Sequence, residues 1–270
     1  MKKVEIFTYY SFGYNYYILL NESSNYTNQK FLESINEYLK FISNLNLKVT
    51  KSSLDLQNFE EQIDTLKKKC RGQSKTAKVS VELHKTIISK IKDADKTLDA
   101  ELSILTAFYI QNNKRVSTEF LENRIDKLFS NDVFENLPEI AVYDFQEAGK
   151  CLLFNRFTAC AFHILRGTED TLKYYYQLLL DVVPKENQTW FNFYEEIEKG
   201  ITSGTITPKP SEELMINLNS LRRFYRNKTQ HPQMIYNSDD VQDLMFLCIK
   251  TVNEMLKDLI EREIIDTIIF

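Results

Sequence analysis

The chain contains 270 residues, enough for one large domain or two small ones, because single domains usually contain about 100–200 residues. Its 34 lysine and arginine residues face 38 aspartate and glutamate residues, and the net charge of −4 argues against bulk electrostatic capture of nucleic acid or an anionic membrane. A hydrophobic fraction of 43% argues against disorder, and the low counts of 6 glycines and 5 prolines favour a helix-rich protein without a glycine loop for nucleotide phosphates.

The N-terminal half is predicted to contain amphipathic helices joined by polar turns. Apolar residues recur at three- and four-residue spacing over 28–44, 54–66 and 79–112. Residues 1–27 fit a helix better than a strand, because no other segment offers a partner strand. The basic stretch 67–75 separates the last two helices, so we predict a long helical hairpin with this stretch at its tip. The tip is either a solvated turn or a contact for RNA or a partner.

Two turn signals divide the C-terminal half into helices. Pro138 predicts a helix that starts just after it, and Asn155-Arg156 predicts a tight turn. Apolar periodicity then predicts these helices: 140–153, 157–182, 189–199 with Gly200 as its end, 211–228, and 241 to the C-terminus. Two helical hairpins of this kind form a four-helix bundle.

The sequence therefore predicts an all-α fold in two parts. Residues 1–135 form an N-terminal helical region with a regulatory or sensing role, and residues 136–270 form the four-helix domain. No stretch of about 18 apolar residues occurs, so no membrane span is expected. No metal or cofactor is predicted, and four cysteines are expected to be reduced thiols of a cytoplasmic protein, namely Cys70, Cys151, Cys160 and Cys248.

Basic residues concentrate where the helix over 211–228 ends. Four cations lie within seven residues of a chain whose net charge is negative: Arg222, Arg223, Arg226 and Lys228. They can form a surface for phosphates. They can equally be an ordinary solvated helix end, where cations interact favourably with the helix dipole.

Arg226 and His231 form a candidate catalytic pair. The two residues would lie about 140° apart on a continuous helix. His231 precedes Pro232, however, and the residue before a proline tends to leave the helical region, so the chain can fold His231 back towards Arg226. Histidine exchanges protons near neutral pH, and arginine stabilises charge on phosphate. This is the chemistry that RNA cleavage without a metal requires.

A second polar group lies on the helix over 157–182. His163, Arg166 and Asp170 share one face, and Glu169 is adjacent. One interpretation is a surface ion pair of Arg166 with Glu169 or Asp170. The other is that His163, Arg166 and Glu169 support the candidate catalytic pair.

Residues 226–231 resemble the arginine-x4–6-histidine motif of HEPN domains, in which a polar residue such as Asn227 often follows the arginine. Upstream, EAGKCL at 147–152 and RFTACAFHILRGTE at 156–169 resemble a group of bacterial HEPN-like proteins. The resemblance spans about 135–260. Many HEPN toxins carry a tyrosine two residues after the histidine, where this chain has Gln233.

The resemblance implies an all-α bundle that forms a homodimer, in which two arginine–histidine pairs make one composite cleft. It implies RNA cleavage by attack of a ribose 2′-hydroxyl on the adjacent phosphate, with 2′,3′-cyclic phosphate and 5′-hydroxyl ends. His231 would exchange protons, and Arg226 would hold the phosphate. Asn227 would orient either the phosphate or His231. The RNA backbone would be guided by Arg222, Arg223 and Lys228.

Such proteins act as toxins or abortive-infection effectors in anti-phage defence, with an antitoxin or another defence protein as a partner. Two alternatives stay open. One is a non-catalytic HEPN module that binds RNA, a nucleotide or a partner protein. The other is a purely structural helical dimer, which the apolar residues of the C-terminus favour. These are expected to pack on the N-terminal region or a second chain: Ile264, Ile265, Ile268, Ile269 and Phe270.

Overall fold

A computed structural model describes residues 5–71, 76–107, 109–110, 114–230 and 234–266. The chain is all-α, as predicted: it is 76% helical, and the described residues contain no strand. Within these ranges, no helix is both long enough and apolar enough to cross a bilayer. The chain divides into two compact units, Met1–Phe108 and Tyr109–Phe270.

The N-terminal unit contains five α-helices in its described part: α1 (Ile6–Asn21), α2 (Asn28–Leu45), α3 (Lys48–Leu56), α4 (Phe59–Lys69) and α5 (Val81–Ile104). The single helix predicted over 54–66 is wrong, because Asn58 adopts a left-handed conformation with φ of 54° that separates α3 from α4. The helix predicted over 79–112 ends earlier, at Ile104.

Helix α5 is the central helix of this unit and runs antiparallel to α3. The Glu101 carboxylate near its end accepts hydrogen bonds from the backbone N–H groups of Val49 and Thr50, at 3.0 and 2.7 Å. Further towards its start, Lys90 donates to the carbonyl of Gln57, just beyond the last residue of α3. Helix α4 also packs against α5, as a helical hairpin requires. Residues 72–75 of the predicted hairpin tip lie outside the described residues.

The C-terminal unit contains seven α-helices in its described part: α6 (Thr118–Asn123), α7 (Glu139–Leu153), α8 (Phe157–Leu180), α9 (Trp190–Ser203), α10 (Glu212–Ser220), α11 (Asn227–Gln230) and α12 (Ser238–Glu261). The turn predicted between α7 and α8 is present, with Asn155 at a φ of 58°. The predicted end of α9 at Gly200 is wrong, because Gly200 is a buried residue inside the helix. The left-handed residue that ends α9 is Gly204, with a φ of 79°.

Helix α8 occupies the centre of this unit and packs against α7, α9 and α12. The unit extends further towards the N-terminus than the predicted domain over 136–270. Apolar side chains of the preceding segment are buried in the same core as α7 and α8, namely Val116, Leu121, Ile125 and Val133. Ile265 packs on the core of its own unit, and 267–270 lie outside the described residues.

Candidate functional site

The helix that carries the basic residues contains a π-helical turn. Helix α10 runs into a π-helical segment, Leu221–Arg226, and then into α11. The backbone N–H of Asn227 bonds to the carbonyl of Arg222, five residues earlier, where an α-helix would use the fourth. Single π turns inside α-helices are frequent at functional sites. Three of the four cations lie in this segment, namely Arg222, Arg223 and Arg226, and Lys228 follows in α11.

Arg226 forms a two-point ion pair with Glu169 of α8. Its Nη2 lies 3.0 Å from Oε1, and its Nε lies 3.3 Å from Oε2. The same Oε1 accepts the backbone N–H of Trp190, at the start of α9, at 3.3 Å. Glu169 thus links α8, α9 and the π-helical segment. A guanidinium has five N–H donors, so the pair orients Arg226 and leaves donors for an anion.

The other cations of the cluster have different surroundings. The guanidinium of Arg222 lies over the rings of Phe191 and Tyr194 on α9, at 4.8 and 5.9 Å from their centroids. Its Nη2 donates to Oδ1 of Asn219 at 2.9 Å. Arg223 lies 5.7 Å from the centroid of the neighbouring Phe224 ring, and both side chains are exposed. The two remaining predicted residues of this helix, Asn227 and Lys228, are also exposed.

His231 lies outside the described residues, together with Pro232 and Gln233. The chain on either side of it is held by a contact between two hydroxyls, because Thr229 Oγ1 and Tyr236 OH are 2.7 Å apart. Tyr236 is buried, and its backbone N–H bonds to Oγ1 of Thr158 at the start of α8 at 3.4 Å. Burial raises the pKa of Tyr236.

His163 and Arg166 bind a residue that the sequence interpretation missed, Asp144 of α7. The imidazole Nδ1 of His163 lies 2.8 Å from Oδ1 of Asp144. Arg166 donates from Nε to Oδ2 at 2.5 Å and from Nη2 to Oδ1 at 2.6 Å. Asp144 is fully buried, and a buried carboxylate must be paired and hydrogen-bonded. The hydrogen bond and the charge of Asp144 raise the pKa of Arg166.

The prediction of an ion pair within α8, between Arg166 and Glu169 or Asp170, is therefore wrong. Arg166 pairs with Asp144 of α7 instead. Asp170 forms no ion pair with Arg166 either: its Oδ2 is buried without a hydrogen-bond partner among the described residues, and burial raises the pKa of this carboxyl. The sequence carried a signal for Asp144, because it stands at a core position of α7 between Ala141 and Ala148. A charged residue on a buried face predicts a charged partner on the facing helix.

The two polar groups lie on different sides of α8. Glu169 follows His163 by six positions along the helix, which corresponds to a rise of about 9 Å and a rotation of about 120°. The Asp144 group contacts α7, whereas Glu169 contacts α9 and the π-helical segment. Of the three residues predicted to support Arg226, the structure places Glu169 against it, and it places the other two against Asp144.

Burial raises the pKa of each of the three thiols of this unit, Cys151, Cys160 and Cys248. All four cysteines of the chain are free. Burial raises the pKa of Cys248 to about 12 and raises that of Cys160 as well. No group of three or more potential metal ligands occurs among the described residues.

No protein-family model, no curated protein and no solved structure matches the chain.

Proposed function

We propose that the chain is a metal-independent endoribonuclease whose C-terminal unit is a HEPN-type four-helix bundle. The observation that carries the proposal is the two-point contact between Arg226 and Glu169. It holds a guanidinium in one orientation, on the helix that leads within five residues to His231. Donors that are oriented before the substrate binds stabilise developing charge without reorganisation, which is how such a site accelerates a reaction.

In the proposed reaction the 2′-oxygen of a ribose attacks the adjacent phosphorus as the bond from phosphorus to the 5′-oxygen breaks. One proton leaves the 2′-hydroxyl and another reaches the 5′-oxygen, which yields a 2′,3′-cyclic phosphate and a 5′-hydroxyl. Arg226 holds the phosphate oxygens, Asn227 assists it, and His231 transfers protons. A homodimer supplies a second arginine–histidine pair, so one histidine acts as the base and the other as the acid.

The cations outside the pair are assigned to the RNA backbone. Arg222 and Arg223 lie beside aromatic rings, and the rings of Phe191 and Phe224 are 42% and 53% exposed. Exposed aromatic rings beside arginines are the surface that single-stranded nucleic acids bind, through stacked bases and paired phosphates. Lys228 adds a further exposed charge on α11. A cytoplasmic ribonuclease with this chemistry would serve as a toxin or abortive-infection effector, restrained by an antitoxin or another partner protein.

The test is cleavage of single-stranded RNA by the full chain in EDTA, with analysis of the product ends. We expect cyclic-phosphate ends from the wild-type protein and a loss of at least about 100-fold in rate for Arg226→Ala and for His231→Ala. Arg124→Ala, an exposed arginine that pairs with Asp126 and belongs to no predicted RNA contact, is the matched control and should cleave normally. Undiminished cleavage by both site variants would remove the assignment.

A non-catalytic HEPN module that binds RNA is the second candidate, and the arginines on aromatic rings favour it. This candidate predicts that the wild-type protein binds single-stranded RNA in EDTA and leaves it intact. It also predicts that Arg222→Ala weakens binding, because the substitution removes both a charge and a stacking partner of Phe191.

A further inference from the structure

Helix α1 is apolar on two opposite faces. It contains no charged residue from Ile6 to Asn21, in a chain of which 27% of the residues are charged. Its inner face packs on the core of the N-terminal unit through Phe12, Tyr16 and Leu19. A surface helix normally carries charged residues on its outer face, whereas a helix that is apolar all round is buried on all sides. The outer face of α1 therefore has the composition of a buried surface.

A stripe of large apolar side chains runs along this outer face. Each of its members is between 59% and 69% exposed, and together they form the α1 stripe: Ile6, Phe7, Tyr10, Tyr14 and Tyr17. From Phe7 onwards they follow at intervals of three, four and three residues, which places them within an arc of about 100°. This is the spacing of the seam between two packed helices. Single exposed apolar residues are normal on a surface, but a continuous stripe indicates a contact surface.

Gly13 lies in the middle of the α1 stripe, about one turn from Tyr10 on one side and from Tyr17 on the other. It is exposed, and outside the backbone of its own helix no atom lies within 4 Å of the position that a Cβ would take. A glycine inside a helix lowers its stability by about 0.5–1 kcal/mol relative to alanine. In exchange, it allows a second backbone to approach closely at this point.

The chemistry of the α1 stripe fits a second copy of the same helix. A two-fold axis brings a surface against itself, so a charged stripe would place like charges opposite each other. The α1 stripe has no charge that would repel its copy, and its spacing matches that of its copy. Three of its five members are tyrosines, which are enriched at protein interfaces. A lipid surface fits less well, because helices that lie on membranes carry lysines and arginines on their polar face.

The exposed area of the α1 stripe is close to what a stable dimer needs. A large apolar side chain presents about 150–250 Å², so five that are exposed by about two-thirds offer roughly 650 Å² in each chain. Two stripes packed together would bury up to about 1,300 Å², and specific protein interfaces bury about 1,200–2,000 Å². The α1 stripe can therefore support self-association.

We propose that the α1 stripe is a self-association surface, on which α1 of a second copy of this chain packs. The aromatic side chains of the two helices pack side by side along the seam, and the two backbones come closest at Gly13. The proposal rests on α1 alone. It does not depend on the ribonuclease assignment, whose dimer brings together residues of the C-terminal unit.

The experiment is analytical ultracentrifugation of the full chain over a range of concentrations, for the wild type, Tyr10→Lys and Tyr14→Lys. Each substitution places like charges in the seam, so the dissociation constant for self-association should rise at least about 10-fold. Leu56→Lys is the matched control, because Leu56 is an exposed apolar residue of α3 outside the α1 stripe, and it should associate as the wild type does. Association through the C-terminal unit is the same in all four proteins, so it does not obscure the difference.

The two substitutions in the α1 stripe also protect the test against misfolding. The Tyr10 ring lies 6.1 Å from that of Phe7, whereas Tyr14 has no ring contact among the described residues, so Tyr14→Lys replaces Tyr10→Lys if the latter does not fold. The proposal is overturned if the wild type stays monomeric at all concentrations. It is also overturned if the folded stripe variants and Leu56→Lys associate equally well.

Two further measurements identify other occupants of the α1 stripe. Thermal unfolding is recorded for each variant, and a loss of stability without a change in association would mean that the stripe is covered within the same chain. Flotation with phosphatidylcholine vesicles, with and without phosphatidylserine, tests a lipid surface. Vesicle binding that both stripe variants lose, in a wild type that does not self-associate, would identify a membrane instead. Either result would overturn the proposal.

Discussion

The carboxylates of Asp144 and Glu169 in the C-terminal unit and the hydroxyl of Tyr38 in the N-terminal unit are in opposite hydrogen-bonding states. In the C-terminal unit Asp144 and Glu169 are each bound at two or more points by side chains of the same chain. In the N-terminal unit the Tyr38 hydroxyl is buried without a partner among the described residues. The difference can be measured, because removal of a partnered group and of an unpartnered group should change stability in opposite directions.

The largest effect is expected for Asp144→Asn. The substitution removes the carboxylate that joins His163 and Arg166 to α7, so we expect the free energy of unfolding to fall by about 3 kcal/mol. The matched control is Asp126→Asn, whose partner Arg124 is two residues away on the surface and whose loss should cost less than about 1 kcal/mol. Denaturant unfolding at neutral pH measures both. Equal losses would contradict the distinction between a buried junction and a surface pair.

A smaller effect is expected for Glu169→Gln, because this ion pair is partly exposed. Side-chain exposure is 25% for Arg226 and 24% for Glu169, and we expect a stability loss of about 1–2 kcal/mol. Cleavage of RNA in EDTA should fall as well, since Arg226 loses its orientation. Glu147→Gln removes a same-helix pair with Lys150 and serves as the control. If both variants match the wild type in stability and cleavage, Glu169 does not position Arg226.

One substitution, made once in each unit, tests the comparison directly. Tyr236→Phe removes a hydroxyl that contacts Thr229, so it should cost about 1 kcal/mol. Tyr38→Phe removes the unpartnered hydroxyl, so the free energy of unfolding should stay the same or rise. Thermal unfolding of both variants shows whether each substitution lowers or raises the stability of the protein. A loss of stability in Tyr38→Phe alone would show that its hydroxyl has a partner in the folded protein.

The smallest effect concerns the pH dependence of stability. Burial raises the pKa of Asp170, so the folded protein holds this proton more tightly than the unfolded chain does. Its contribution to stability is therefore present at low pH and is lost as the pH rises through the folded pKa. Asp170→Asn cannot titrate, so its stability should fall less, or rise more, than that of the wild type from acidic to neutral pH. If stability changes with pH in the same way in both proteins, the pKa of Asp170 is not raised in the folded state.

Much of the helical framework follows from apolar periodicity, because each long helix buries one face. The helices over 28–44, 140–153 and 157–182 were predicted nearly to their ends for that reason. The segment from Val116 to Val133 was not assigned to the C-terminal core, since its short helical turns carry no long periodic pattern. Local breaks such as the left-handed Asn58 were missed, because many residues adopt that conformation only under tertiary constraint.

The candidate site was predicted less completely than the helices. Glu169 was expected to support Arg226, and the structure places the two in contact. The partner of His163 and Arg166 was not identified, because Asp144 lies on another helix and spacing along one helix cannot reveal it. The π-helical turn likewise has no local sequence signal. It occurs where Arg222 contacts α9 and Arg226 contacts α8, and contacts between helices cannot be deduced from spacing along one helix.

The π-helical turn also affects how insertions and deletions in this segment should be understood. The turn contains one residue more than a turn of an α-helix, because its backbone hydrogen bond joins residues five positions apart instead of four. Deletion of a single residue between Leu221 and Arg226 would remove this extra residue, restore α-helical spacing and leave the following helix in its present orientation. Arg226 would keep its contact with Glu169, and Thr229 its contact with Tyr236, whereas a deletion in a regular α-helical stretch would rotate the residues that follow by about 100°. In homologous chains, a one-residue gap at this turn would therefore be compatible with the same arrangement of side chains.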